Sequence, residues 1–498
     1  MNQARPYAIT VIALAVLAAI MFAYPCLRIG ADFEIDYNEG WNAFLQGLVT
    51  AGLSPYAGAG ALFFNNYPPL SFYLVALLGL VVGDPVLAGR LLSVVAVAVI
   101  AASSGIVVRA NGGSRGDGLL AMATCTAMFS AFATDYVGVD DPQLLAQGFL
   151  AAGFAVYVGG RAGVGGRAGP ARLAAVAVLF ALGLLCKHNV LALPLVVSIH
   201  ALWRAPAAGR WTFLTVGLAL IAIAVTAILS LFGMDFFHRL LAPRLYDVTR
   251  GFLLTMEVLE RIQAPLAVAG LFLLLRRDGP VPAMVAAYLL GSLGLGMAFS
   301  GGAGVDINIF FDTMIAAAMG VGLAATWLRH QPGLPAMAPA LLAVLANFGV
   351  LLLTPQVLGR MAVDALGEYG ERQRLFRADV AYLRQIPGPA VCESMLLCIR
   401  AGKAIAVDPY NVLQASLTGR LPPHLLEDML ARRQFPVFQV SSLREHPLDE
   451  APGQQVIPPR FVNFSDGVFD ELARSYTLDR VGLSGRFYRP KLTPPPGS

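Results

Sequence analysis

Long apolar runs recur along the first two thirds of the chain, separated by short segments rich in charge, glycine or proline. They lie at about residues 7–29, 86–108, 118–134, 143–160, 172–187, 189–203, 212–233, 260–275, 280–299, 311–327 and 333–353. An α-helix needs roughly 20 residues to cross a bilayer, so the pattern predicts about eleven spanning helices. The first run is too long for the apolar core of a signal peptide and has no small-residue cleavage site before Arg28, so it reads as an uncleaved helix. The run from Pro68 to Val82 is too short to cross and opens on Pro68-Pro69, which suits a first helical turn; it is expected to lie along the membrane surface. After residue 354 the pattern changes. IPGPAVCESMLLCIRAGKAIAVDPYNVLQ, at 386–414, reads as a short strand, a helix, a second strand and a loop. The expected architecture is an α-helical polytopic membrane domain at 1–354 followed by a small C-terminal α/β domain at 355–498. Its last residues, TPPPGS, are expected to be disordered, and the glycine-rich stretch 159–172 to be a mobile connector.

Composition agrees with this division. Hydrophobic residues make up 57% of the chain and charged residues 13%, against roughly 25% charged in a soluble domain. A soluble globular enzyme is excluded, and so is intrinsic disorder, which follows from too little apolar surface. Of the 35 basic and 31 acidic residues, 32 lie after residue 354, about 22% of that segment. The net charge of +4, with no basic run interleaved with aromatics, excludes nucleic acid as a partner.

Sidedness follows from the arginines, which concentrate in cytoplasmic loops. With the N-terminus inside and the Pro68 helix not crossing, those loops hold Arg5, Arg109, Arg115, Arg161, Arg167, Arg172, Arg204, Arg210, Arg276, Arg277 and Arg329 against only Asp117 and Asp278. If that helix crossed, the excess would face outward. The C-terminal domain is therefore expected outside the cytoplasm. There Cys392 and Cys398 meet an oxidising compartment, so a disulfide between them is expected, two buried thiols being the alternative.

On the same outer face fall the polar residues that a membrane domain has least reason to keep. The first outer loop holds Asp32, Glu34, Asp36 and Glu39, interspersed with aromatics. Later outer turns hold Asp140 and Asp141, then Lys187 and His188, then Arg239 and Arg244, then Asp306 and Asn308. Ionisable groups at membrane depth are costly unless they pair or face a wet cavity, so their clustering points to a site. Helix capping explains one of Asp140 and Asp141, before Pro142, and snorkelling could explain Lys187. Arg90, near the outer end of the second span, needs a partner, either structural or a ligand. A carboxylate here could act as general base on an acceptor hydroxyl, and the cations could stabilise a phosphate leaving group. A sugar carried on a lipid phosphate suits that arrangement.

NEGWN at 38–42, YPPLSFYL at 67–74, LAGRLLS at 87–93, DDPQLL at 140–145 and KHNVLALPL at 187–195 occur in an order that resembles the GT-C superfamily of polyprenyl-phosphate-sugar glycosyltransferases. The branch is that of the protein O-mannosyltransferases and the lipid A aminoarabinose and galacturonic acid transferases, which is family 39-like. The resemblance covers roughly residues 1–200 and implies an inverting sugar transfer from a polyprenyl-phosphate donor to an extracytoplasmic lipid, polysaccharide or protein acceptor. Asn38 stands where the family has its catalytic Asp, so Asp36 is the expected base and Glu39 its rival, with Asp140 and Asp141 as the second acidic site. Tyr67 replaces the family's Lys or His, which shifts the expected phosphate contacts to Lys187, His188, Arg239 and Arg244, with Arg90 a further candidate. Tyr67, Asp306 and Asn308 are expected to contact substrate. Some relatives use a divalent metal ion; here its ligands would be Asp36, Asp140 and Asp141. Alanine and glycine richness suits a bacterial inner membrane with a periplasmic C-terminal domain. A transporter or flippase of a lipid-linked sugar is the alternative, although such a protein should place charges near the middle of several spans. A non-enzymatic assembly subunit is a third.

Overall fold

The computed structural model describes residues 5–56, 62–159, 169–276, 279–441 and 462–491. The tail TPPPGS and most of the expected 159–172 connector lie outside the described residues. α1 (Arg5–Arg28) leads by a loop to α2 (Tyr37–Thr50), and a second loop leads to α3 (Leu70–Val82). Then come α4 (Pro85–Ala110), α5 (Arg115–Phe132), α6 (Pro142–Val158), α7 (Pro170–Cys186), α8 (Ala192–Arg204), α9 (Ala207–Phe232) and the short α10 (Asp235–Leu240). α11 (Val248–Leu275), α12 (Pro280–Phe299), a 3-10 turn (Ile307–Phe310), α13 (Phe311–Arg329), α14 (Ala338–Ala346) and α15 (Phe348–Val363) complete the bundle. Seven of the described helical stretches are long and apolar enough to cross a membrane, and α3, α6, α7 and α8 are shorter apolar helices.

Asp-Pro pairs start several of these helices. Asp84 and Asp141 cap α4 and α6 by accepting from the N–H of Val86 and Gln143, while Pro85 and Pro142 take the first helical position, where no N–H is needed. α13 is the central helix, buried on every side from Phe311 to Thr326. α9 is its opposite, burying little besides Gly209, Phe213 and Ile228 and turning Leu218, Ile221 and Leu231 outward, as a lipid-facing helix does. At the end of the bundle away from the C-terminal domain, the fully buried Asp117 accepts from Tyr7 Oη at 2.7 Å and Arg329 Nη1 at 2.7 Å, tying α1, α5 and α13 together.

The second strand and loop expected within 386–414 are instead an isolated bridge at Ile405 and a helix at Pro409–Leu417, and the sequence pattern differs from the structure in three further places. The first loop contains a full helix, α2, whose apolar face covers the bundle end. α11 starts at Val248, capped by Asp247, a dozen residues before the apolar run at 260. The last run breaks at Asn347 and then continues beyond residue 354 to Val363, so the expected boundary falls inside α15.

A π-helical turn at Asp364–Glu368 joins α15 to α16 (Tyr369–Gln385). β1 (Ala390–Cys392), α17 (Met395–Arg400), α18 (Pro409–Leu417), α19 (Leu425–Ala431), β2 (Val437–Val440), α20 (Asp466–Ser475), β3 (Tyr476–Gly482) and β4 (Gly485–Pro490) follow. The sheet order is β1-β2-β4-β3; β1 and β2 are parallel and the other two pairings antiparallel. Cys392 and Cys398 form a disulfide with Cα atoms 6.0 Å apart, closing the loop between β1 and α17.

This domain shares its core with the first loop. Ala31 and Phe33 pack with Phe376, Leu383 and Phe487, while Met395 joins Trp41, Leu45 and Phe72, and Leu396 joins Ala43 and Val86. Each such side chain contributes about 1.5–3 kcal/mol when fully buried. Gly40 permits the contact: a Cβ there would lie 2.3 Å from the Leu396 backbone nitrogen.

Candidate active site

The first loop is held by one arginine. Arg90, 1% exposed, gives two parallel hydrogen bonds of 2.7 Å to Glu39, which is fully buried. Its other donors go to the carbonyls of Ile29 (3.0 Å), Ala31 (2.6 Å) and Phe33 (2.9 Å). All five N–H groups of the guanidinium are thereby used. Glu39 also accepts from the N–H of Ile35 at 2.7 Å and of Asp140 at 3.2 Å. The expectation of Arg90 as a phosphate contact is therefore corrected, since it has no donor left. Glu39 as base is corrected for the same reason, because both its oxygens are doubly engaged.

Asp36 sits at the end of that clipped loop as the N-cap of α2, with Oδ1 accepting from Asn38 N–H at 2.9 Å. Oδ2 has no protein partner among the described residues. The neighbouring acids are committed elsewhere. Asp32 is drawn outward by Arg377 at 2.5 Å, and Glu34 accepts from Gly40 N–H at 3.2 Å and from Ser394 Oγ at 2.5 Å. Burial pushes the Asp36 carboxyl up to about 7, and the charges of Asp141, Glu39 and Asp306 add to this against the Asn38 hydrogen bond. Burial likewise lifts Glu34 to about 8.

Asp36 lines a cavity of about 480 Å³ between the loop and the C-terminal domain. Glu34 and Tyr37 border it on one side; Glu393, Ser394, Asn463 and Ser484 border it on the other. Glu393 is held by Ser441 N–H at 2.7 Å and Asn463 Nδ2 at 2.6 Å. The Tyr37 and Ser484 hydroxyls are buried with no partner among the described residues.

Of the second acidic pair, the structure gives each member a different task. Asp140 is buried behind the site, where both oxygens accept from Gln46 Nε2 at 3.0 and 2.9 Å. Gly89 makes room for it, since a Cβ there would lie 2.0 Å from Oδ1. Asp141 is the cap of α6, and its Oδ1 is 3.7 Å from Lys187 Nζ. Lys187, at the end of α7 and 3% exposed, lies 4.3 Å over the Tyr67 ring, which packs edge-on against Trp41. Lys187 Nζ, Asp141 Oδ2, His188 Nδ1 and Asn189 Oδ1 are all buried without a hydrogen-bond partner among the described residues. Burial, with the charges of Lys187 and Arg244, drives His188 down to about 4, so it is neutral at pH 7 and can accept or donate.

Further round the rim, Arg244 donates to the Ala303 carbonyl at 3.2 Å, and Arg239 donates to the Phe63 carbonyl at 3.2 Å. Asp306 accepts from Tyr136 Oη at 2.8 Å, and Asn308 lies in the 3-10 turn after it. As a metal set, Asp36, Asp140 and Asp141 do not fit: Asp140 is satisfied by Gln46, and among the described residues no three His, Cys, Asp or Glu side chains converge as ligands.

No family model matches the sequence, and no curated protein matches it. Solved structures do match in fold. The chain is similar to ArnT from Cupriavidus metallidurans in the apo state, at 11% identity and TM-score 0.59 over 95% of this chain and 97% of that one. The same protein bound to undecaprenyl phosphate matches at 12% and 0.57 over the same shares. The archaeal oligosaccharyltransferase AglB from Archaeoglobus fulgidus, in complex with an inhibitory peptide and a dolichol-phosphate, matches at 11% and 0.51, covering 98% of this chain and 75% of that one. The chain shares the fold of ArnT and AglB.

Within that shared fold, sequence reasoning missed residues that hold the site together. Asn42 and Gln46 of α2 hold the Asp140 backbone and side chain, and their positions three and seven residues after Glu39 mark one polar face of a helix. Asp408 accepts from Trp41 Nε1 at 3.1 Å, and burial raises it to about 6. Nothing in a single sequence signals that second contact, 367 residues away.

Proposed function

We propose that this chain is a membrane glycosyltransferase that moves a sugar from a polyprenyl-phosphate donor to an acceptor on the outer face of a bacterial inner membrane, with the N-terminus cytoplasmic. The observation that carries the reading is Asp36. It is the one acid of the first loop that both lines the cavity and keeps an oxygen without a protein partner among the described residues.

In the proposed reaction the acceptor hydroxyl oxygen attacks the anomeric carbon from the face opposite the phosphate. Asp36 Oδ2 takes the hydroxyl proton, the bond from that carbon to the phosphate oxygen breaks, and the configuration inverts. The lipid phosphate leaves with its charge, which Lys187 and Arg244 offset. The buried nitrogens of Lys187 and His188, which make no hydrogen bond among the described residues, support this assignment, since a buried polar group left without one costs about 1–3 kcal/mol until a ligand meets it. The lipid phosphates carried by ArnT and AglB lend further support. A carboxyl raised to about 7 is matched to a base that works near neutral pH.

The test is release of sugar from a radiolabelled polyprenyl-phosphate-sugar pool by purified protein. Asp36→Asn should lose transfer while still binding donor. A wild-type protein that binds the lipid but never breaks the sugar–phosphate bond with any acceptor extract would be a transporter instead.

A further inference from the structure

The C-terminal domain carries an arginine that the fold turns toward the donor side of the rim. Arg420 follows α18, and its guanidinium lies 5.4 Å from the Phe64 ring centroid. Arg239, from α10 of the membrane domain, lies 5.4 Å from the same centroid. Arg244 is beside them, under α18: a Cβ at Gly304 would stand 3.8 Å from Arg244 Nη1 and 3.6 Å from Tyr410 Oη. Three guanidinium groups thus meet where the two domains touch, with Lys187 and His188 next to Arg244.

Like charges this close repel, and a protein has little reason to gather them without an anion. Burial and then the charges of Arg244 and Arg239 lower the Arg420 guanidinium, so the three feel one another. Among the described residues, the carboxylates nearby do not balance Arg244 and Arg420. Asp141 serves Lys187, and Asp235 acts on Arg239. Among the described residues neither Arg244 nor Arg420 has an ion pair, and Arg420 spends one hydrogen bond, from Nε to Thr418 Oγ1 at 3.1 Å.

We propose that Arg420 binds the phosphate of the lipid-linked donor, acting with Arg239 and Arg244 across the seam, so that the donor site is incomplete without the C-terminal domain. This rests on the transferase reading and extends it, because it makes the soluble domain part of the donor site. The shared chemistry is a phosphate headgroup, which a lipid monophosphate or a lipid diphosphate could supply.

The test uses the full chain in phosphatidylcholine nanodiscs, with undecaprenyl phosphate and undecaprenyl diphosphate as probes. Arg420→Ala should weaken binding of at least one probe about tenfold and flatten its salt dependence, with an unchanged thermal transition. Arg420→Lys, which keeps the charge, should fall between that variant and wild type. A loss larger for the diphosphate puts Arg420 on the outer phosphate, and an equal loss puts it on the inner one. If Arg420→Ala binds both probes like wild type while Lys187→Ala is weakened, the proposal is overturned and the transferase reading stands. If wild type binds neither probe, both fall together.

Discussion

Arg90→Ala removes a cation that serves three carbonyls and a carboxylate at once, and leaves Glu39 with only the N–H groups of Ile35 and Asp140 among the described residues. Breaking a buried ion pair by deleting one partner costs about 3–5 kcal/mol, because the remaining charge stays in a medium that cannot solvate it. The orphaned carbonyls of Ile29, Ala31 and Phe33 add to this, though their costs overlap with the first. Taking about 3 kcal/mol as a floor, and placing it on the unfolding step, the rate of thermal inactivation should rise at least about 100-fold. Rate is the appropriate quantity, since large membrane proteins rarely unfold reversibly. The assay is the half-life of monodisperse protein in detergent at fixed temperature. Glu39→Gln should be similarly short-lived. A double Arg90→Met, Glu39→Gln variant should last longer than either single, because the unpaired charge is gone. An Arg90→Ala protein with the wild-type half-life and weakened binding of undecaprenyl phosphate would refute the structural role and restore Arg90 as a ligand contact.

Transfer should rise with pH and level off above about 7, because Asp36 acts only when ionised; a rate profile with an inflection near 4 instead would contradict its burial. Stability should move the other way. The folded values of Asp36, Glu34 and Asp408, about 7, 8 and 6, are raised above their usual range, so folding favours the protonated forms; stability is full below about pH 4 and is lost as pH rises toward 8. Heat inactivation at pH 5 and pH 8.5, compared at constant salt, tests the sign. Cys392→Ser should cost about 2 kcal/mol for so short a loop, visible as a lower thermal transition that reductant also produces in wild type. Gly40→Ala should push α17 off α2, so that limited proteolysis releases the C-terminal domain faster than in wild type.

The helices of the membrane domain were legible because their signal is local. Apolar runs and Asp-Pro caps are written in adjacent residues, and most of the helix positions followed from them. α2 was less visible, since its polar Asn42 and Gln46 look like loop residues until they are set on a helical face. Apart from the Cys392–Cys398 disulfide, the pairings were not legible. Glu39 and Asp36 differ by three positions in one acidic motif, and only the approach of Arg90 from another helix separates a sealed carboxylate from an open one. Asp140 and Asp141 divide in the same way, one against Gln46 and the other beside Lys187. Arg420 is an ordinary surface arginine in its own domain, and becomes part of a charge cluster only through docking.

The first loop touches the C-terminal domain at Glu34 with Ser394, at Trp41 with Asp408, and at Gly40 with Leu396. Those contacts join the beginning of the polypeptide to its end. A ribosome makes the acidic loop long before it makes the wall opposite. During synthesis the carboxylate therefore waits in an unfinished chamber, and the chamber closes only after the last domain has been made and has docked. The cavity is thus a property of the two docked regions together and of neither one alone.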